Sequence, residues 1–220
     1  YRFIFIPETI GSLAYISKNL KIMKKNIIAG FNLSCVGDSR CYSHVESRNG
    51  NTLADEALKS SLIGKSKVKK YSFLFRGSDE RQYCAPGIDL PVCGFSRSKF
   101  GEYKEYHTSA DNLSILDNES LNDSLNVLKS IIDAFEIGLY PRTAVKGEPQ
   151  LSKYNLYPTI SQKGTIKKGS FSKQEFINRC NVLAYSDGLK NIFEISNNIS
   201  MPLDQVVKEI ILLKKFKLIV

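Results

Sequence analysis

The feature that most constrains the fold of this 220-residue chain is an alternation of short apolar runs with longer amphipathic stretches over its first two thirds. Arg2–Ile6 reads as a buried strand closed by Pro7, and Ile10 to Lys25 carries Leu13, Ile16, Leu20 and Met23 at helical spacing. Asn26–Val36 reads as a second strand ending at Gly37-Asp38. Thr52–Ile63 reads as a helix with Thr52 as its cap and Asp55 three residues on. Tyr71–Phe75 and Leu90–Phe95 supply a third and a fourth strand. Asn118 to Ile137 is a helix with Leu121, Leu125, Leu128, Ile132 and Phe135 on one stripe. Strands that alternate with helices predict an α/β domain, a mostly parallel sheet with helices on both faces.

The pattern breaks after residue 140. Residues 141–170 hold three of the seven prolines and the run Lys163-Gly-Thr-Ile-Lys-Lys-Gly169, which reads as a linker. Residues 171–220 are helical in character: Ser172 caps a helix to Tyr185, Asp187-Gly188 turns the chain, and Ile192–Asn198 and Pro202–Phe216 come after it. Three short helices ending in Leu218-Ile-Val220 predict a winged-helix-like helix-turn-helix. The organisation expected is thus an α/β domain over 1–140, a linker over 141–170 and a small helical domain over 171–220.

Composition removes several classes. With 42% hydrophobic and 24% charged residues the chain is neither disordered nor collagen-like, and no apolar run approaches the roughly 18 residues of a membrane span. Five cysteines without a CxxC pair suit free thiols in a reducing compartment, so a cytoplasmic protein is expected. Of the net charge of +9, most sits in residues 151–220, where eleven Lys/Arg face five Asp/Glu. Nucleic acid and a solvated lysine-rich surface both answer to that surplus. The last helix carries Asp204, Gln205, Lys208, Glu209, Lys214 and Lys215, a mixed surface that predicts packing or self-association rather than sequence-specific DNA reading.

In a parallel sheet, ligands bind beyond the strand ends. The segments after the four strand-like runs bring Glu8, Asp38, Asp79 with Arg81, and His107 with Asp111 toward one edge, a palette of imidazole and carboxylate suited to a hydrolytic zinc site. Solvated or capping carboxylates answer to the same pattern. Asp79 reads equally as a helix N-cap for Glu80–Cys84, Asp111 as a loop residue, and Arg81 as a partner of Glu80 or Asp79. His44 reads as an exposed loop residue. No phosphate-binding glycine loop and no Gly-x-Ser-x-Gly elbow is present.

Phe-Ile-Pro-Glu-Thr-Ile-Gly-Ser (5–12), Val-Gly-Asp (36–38), Gly-Ser-Asp-Glu-Arg-Gln-Tyr (77–83) and Tyr-His-Thr-Ser-Ala-Asp-Asn-Leu (106–113) occur in that order. Together they resemble the zinc aminopeptidase family that includes leucyl aminopeptidases and glutaminyl cyclases. The nearest likeness is to its aminopeptidase-like branch, sometimes labelled as polysaccharide-biosynthesis associated, which ends in a winged helix. The resemblance implies metal ligation by Asp38 and His107, with Glu8 as the general base. Asp79, Arg81 and Asp111 would orient ligands or substrate. Thr9 stands where the family has a second Glu ligand, and the family's first His ligand and bridging Asp have no counterpart here. The resemblance therefore implies the C-terminal piece of a longer protein, with one or two zinc ions in the parent. The activity it implies is zinc-dependent hydrolysis of N-terminal peptide or related amide bonds, absent from this piece alone. The other reading is a catalytically silent binding or regulatory module.

Overall fold

The computed structural model describes residues 1–158 and 172–220. They form two units, Tyr1–Lys129 and Ser130–Val220. No helix among them is long and apolar enough to cross a membrane.

The first unit is α/β. Helix α1 (Ile10–Asn26) buries Ile16 and Met23, two turns apart on one stripe, in a cluster with Cys84, Leu90 and Val92. The strands β1 (Gly30–Leu33), β2 (Tyr42–Val45), β3 (Val68–Tyr71) and β4 (Val92–Ser96) form one sheet in the order β1-β4-β2-β3. The outer pairs β1/β4 and β2/β3 are parallel, and the central pair β2/β4 is antiparallel. The central strands are buried along their whole length, whereas the edge strand β3, Val-Lys-Lys-Tyr, is exposed over its first three residues. Lysines on such an edge discourage a further strand from pairing there. Helix α2 (Leu53–Ser61) opens with the expected capping box between Thr52 and Asp55 and packs Ala54, Ala57 and Leu58 into the core. The single-turn α3 (Glu80–Tyr83) comes after β3, and α4 (Asn118–Glu136) begins in the first unit and runs on past Lys129 into the second.

Four expectations from the sequence are corrected by the fold. Residues 2–6 join no strand among the described residues, and Phe3 and Phe5 are exposed. Apolar β-branched composition identifies strand formers, but a strand exists only where a partner supplies its backbone hydrogen bonds. The third strand ends at Tyr71, and Phe73–Phe75 is a 3-10 turn. The sequence Tyr42-Ser-His-Val45 forms an unanticipated central strand, and His44, expected in an exposed loop, lies buried on it. Its polar side chains made a loop-like pattern because their partners are distant in sequence. Ser43 Oγ donates to the Arg97 carbonyl at 2.6 Å, and His44 Nε2 lies 3.0 Å from Asp55 Oδ1.

The second unit is built from α5 (Lys173–Tyr185), α6 (Ile192–Ile199) and α7 (Leu203–Lys215), each packed on the other two. Capping boxes open α5 (Ser172/Glu175) and α6 (Asn191/Glu194), and α7 buries Leu203, Val206, Val207, Ile210 and Leu213 on one face. The stretch 141–170, expected as a linker, is folded over its described part. Arg142 and Thr143 bridge antiparallel to Asp187 and Ile219, and Leu151 and Leu156 are buried. The remainder of that stretch, from 159 on, and residue 171 lie outside the described residues. The fully buried Arg179 ties the unit together, with Nε 2.9 Å from Glu209 Oε2, Nη2 3.3 Å from Glu209 Oε1, and Nη1 donating to the Leu156 carbonyl at 2.7 Å.

Candidate functional site

The site is built where the chain turns into α1 and where it leaves β1 and β4. Thr9 holds the turn with φ 63° and ψ −66°, a conformation unusual for a β-branched residue. Three contacts from 70 or so residues away keep it there. The buried Asp79 Oδ1 accepts the Thr9 amide at 2.7 Å and the Ser12 hydroxyl at 2.9 Å, and Arg81 Nη2 donates to Thr9 Oγ1 at 2.7 Å. Of the alternatives the sequence left open, Asp79 therefore makes no side-chain cap bond on α3, and Arg81 holds Thr9 rather than Glu80 or Asp79. Glu8, next to this corner, is exposed.

Glu80 fixes the turn that carries Asp79 and Arg81. Fully buried, its carboxylate accepts the Gly77 and Ser78 amides at 2.8 and 3.1 Å and the Asn32 side chain at 2.8 Å. Sequence reasoning missed Glu80 and Asn32, because an acidic residue in a Gly-Ser-Asp-Glu turn carries no signal of full burial.

The second half of the site is the loop after β4. Asp38 is buried, and its two oxygens accept the Arg40 amide (3.0 Å), the Ser98 amide (2.8 Å) and the Ser98 hydroxyl (2.8 Å). Cys35 Sγ lies 3.5 Å from Tyr103 Oη, which donates to Asp111 at 3.2 Å. The exposed His107, at φ 59°, stacks on Tyr106 with ring centroids 4.0 Å apart. Burial raises the Tyr106 hydroxyl pKa, and the negative charge of Glu8 adds to the rise. Glu8 is thus near enough to Tyr106 for its charge to act on the hydroxyl.

Zinc does not fit the donors of this chain alone. A catalytic zinc takes about three protein ligands. Asp38 already accepts three hydrogen bonds, His107 stacks at the surface, and neither belongs to a group of three donors among the described residues. The one such group is His44, Asp55 and Cys93, whose ligand atoms lie within 4.8 Å of one another. Its chemistry is structural. Asp55 accepts from Ser47 N and Oγ and from Thr52 N and Oγ1, and it also pairs with His44. Burial holds the Cys93 thiol well above its usual pKa.

Comparison with known proteins gives the frame for this geometry. The family model described as "Domain of unknown function (DUF4910)" matches residues 1–138, and a winged helix-turn-helix model matches residues 139–220. A curated relative from Clostridium acetobutylicum, named as a polysaccharide biosynthesis protein with aminopeptidase-like domain, is 34% identical over 198 residues, which is 89% of this chain and 44% of the relative. A crystal structure from the same organism, named as a peptidase, superposes with a TM-score of 0.80 at 30% identity over 100% of this chain and 48% of that one. An aminopeptidase from Aneurinibacillus sp. strain AM-1 aligns at a TM-score of 0.48 and 20% identity, over 56% of this chain and 29% of its own. The chain therefore spans a little under half the length of the Clostridium relatives it matches.

Proposed function

The chain belongs to the family described as Domain of unknown function (DUF4910), and on that premise we propose that it contributes the Glu8-bearing part of an aminopeptidase-like hydrolase of N-terminal peptide or related amide bonds. The observation that carries this reading is the Thr9 corner. Backbone held in a sparsely populated conformation persists only where its surroundings over-determine it, and such corners concentrate at functional sites. Here Asp79, Ser12 and Arg81 do the holding, and the residue held next to them is the exposed carboxylate of Glu8.

In this reading Glu8 takes a proton from the attacking water, which a general base must approach within hydrogen-bonding distance. Asp79 and Arg81 position Glu8 through Thr9. Tyr106, protonated at neutral pH as tyrosines ordinarily are and made still less acidic by burial, donates to the oxygen of the scissile carbonyl. No step is assigned to zinc, because the chain's own donors do not complete a site. That short donor set, with Asp38 engaged by Ser98, is what favours the second reading, a silent binding module.

The link to polysaccharide biosynthesis rests on the relative's name, and the five free cysteines support a reducing, cytoplasmic setting. The C-terminal unit serves packing or self-association. Lys208 pairs with Asp204 on the outer face of α7, and Lys214 donates to the Ile137 carbonyl, so two of the cations of this helix are engaged within the unit. The hydrolytic reading is tested on the full-length protein with a panel of aminoacyl p-nitroanilides, comparing wild type with Glu8→Gln.

A further inference from the structure

The sheet topology gathers positive charge at one end of the first unit, beside the Asp38–Ser98 and Tyr103–Asp111 contacts of the site. β2 and β3 run parallel with Tyr42 opposite Val68, so the residues entering both strands lie side by side. β4 runs antiparallel to β2 with Ser96 opposite Ser43, so the residues leaving β4 reach the same end. Arg40 enters from before β2, Lys67 and Lys69 from the start of β3, and Lys99 and Lys104 from beyond β4. They line a cleft of about 410 Å³, within the range of small-molecule sites.

Two carboxylates, Glu102 and Glu105, share the cleft, which leaves a surplus of three positive charges. Both are already engaged: Glu105 lies 3.0 Å from Arg40, and Glu102 accepts from Tyr71 at 2.7 Å and lies 3.5 Å from Lys69. Lys99 is the informative residue. It is 8% exposed, and its ammonium sits 4.3 Å from the Phe100 ring centroid and 5.4 Å from that of Tyr71. The Phe100 carbonyl at 3.3 Å is its one hydrogen-bond acceptor among the described residues. An ammonium has three donors, and lysine is rarely this buried unless paired.

We propose that this cleft binds the phosphate group of a small phosphorylated molecule, with Lys99 at its floor and Lys69 and Lys104 at its mouth. Lysine is a point-charge donor that suits phosphate, and a surplus of three positive charges matches a multiply charged phosphate better than a single carboxylate. The site goes beyond the hydrolytic reading and does not depend on it.

The test is calorimetric titration of the full-length protein with pyrophosphate and phenyl phosphate, against succinate as a dicarboxylate of similar charge. The phosphates should bind at least about tenfold tighter than succinate. Lys69→Gln, and Lys99→Met, which keeps the apolar stem, should each weaken pyrophosphate about tenfold, as loss of one charge-assisted hydrogen bond implies. Lys18→Gln, on the exposed face of α1, should change nothing. Equal binding of succinate, unchanged affinity in folded Lys69→Gln, or tighter binding of a single-stranded oligonucleotide than of pyrophosphate would each overturn the proposal. Lys69→Gln keeps the test decisive should Lys99→Met fail to fold. Binding is read without turnover, so failure here is separate from failure of the hydrolase reading.

Discussion

Asp79→Ala removes the acceptor on which the Thr9 corner depends, and its cost can be worked from the structure. Two hydrogen bonds to a buried carboxylate are lost, from Thr9 N and from Ser12 Oγ. Bonds to charged groups contribute about 1.5–3 kcal/mol each, so their loss costs about 3–6 kcal/mol. Thr9 then relaxes from positive φ, which returns about 1–3 kcal/mol. The net expectation is a loss centred on about 2.5 kcal/mol, with bounds of about 0 and 5, measured by equilibrium denaturation of the full-length protein. Asp79→Asn is the control: its Oδ1 can still accept both donors, so it should cost about 1 kcal/mol, the difference between charged and neutral acceptors. Amide exchange at Thr9 should accelerate in the alanine variant and stay slow in the asparagine variant. An alanine variant within about 0.5 kcal/mol of wild type, the ordinary range of surface changes, would refute the reasoning, as would an asparagine variant as damaging as alanine.

In the second unit, Arg179→Met leaves the half-buried Glu209 without its cation and should cost about 3–5 kcal/mol in denaturant titration, while Arg179→Met with Glu209→Leu should recover most of it. Burial already raises the Glu209 pKa despite the opposing pull of Arg179; with the cation gone the protonated form is favoured further, so the deficit of the single variant should shrink as pH falls toward about 4. Asp55 behaves oppositely. Burial alone would raise its pKa, but hydrogen bonds from His44, Ser47 and Thr52 outweigh that and hold it below the usual carboxylate value. The stability it contributes is present above the unfolded-state pKa of about 3.9 and is lost as pH falls below it, so Asp55→Asn should flatten the acid limb of the stability profile. For the C-terminal unit, any duplex DNA binding should be weak, indifferent to sequence and gone by about 200 mM salt; a fluorescence titration showing tight, sequence-selective binding at that salt would contradict the packing role.

What the sequence made legible was local. The capping box Thr52/Asp55 and the Ser172 cap are local signals, and the helices they open begin where the pattern says. The α/β class came from the alternation of runs. The strand order did not, because nothing in the sequence of β2 states that it lies antiparallel to β4 and parallel to β3. The apolar run at 2–6 misled for the same reason, since its strand character depends on a partner. At the site, reactive residue types were identifiable from their places after the apolar runs, two of which are not strands where the sequence put them, but their bonds were not. Asp79 reaches back 70 residues to Thr9, and Asp38 reaches forward 60 to Ser98. The His44–Asp55 pair was hidden because a buried histidine on a strand and an exposed one in a loop are spelled alike.

The central claim is that Glu8 is the base of an amide hydrolase, and it is tested most directly by the turnover of aminoacyl p-nitroanilides by full-length wild type and Glu8→Gln. The wild type should hydrolyse at least one member of the panel. Glu8→Gln should lower kcat about 10²–10⁴-fold, the range of general-base contributions, with its thermal midpoint unchanged because Glu8 is exposed. A wild type silent on the whole panel, or a Glu8→Gln variant as active as the wild type, would contradict the account.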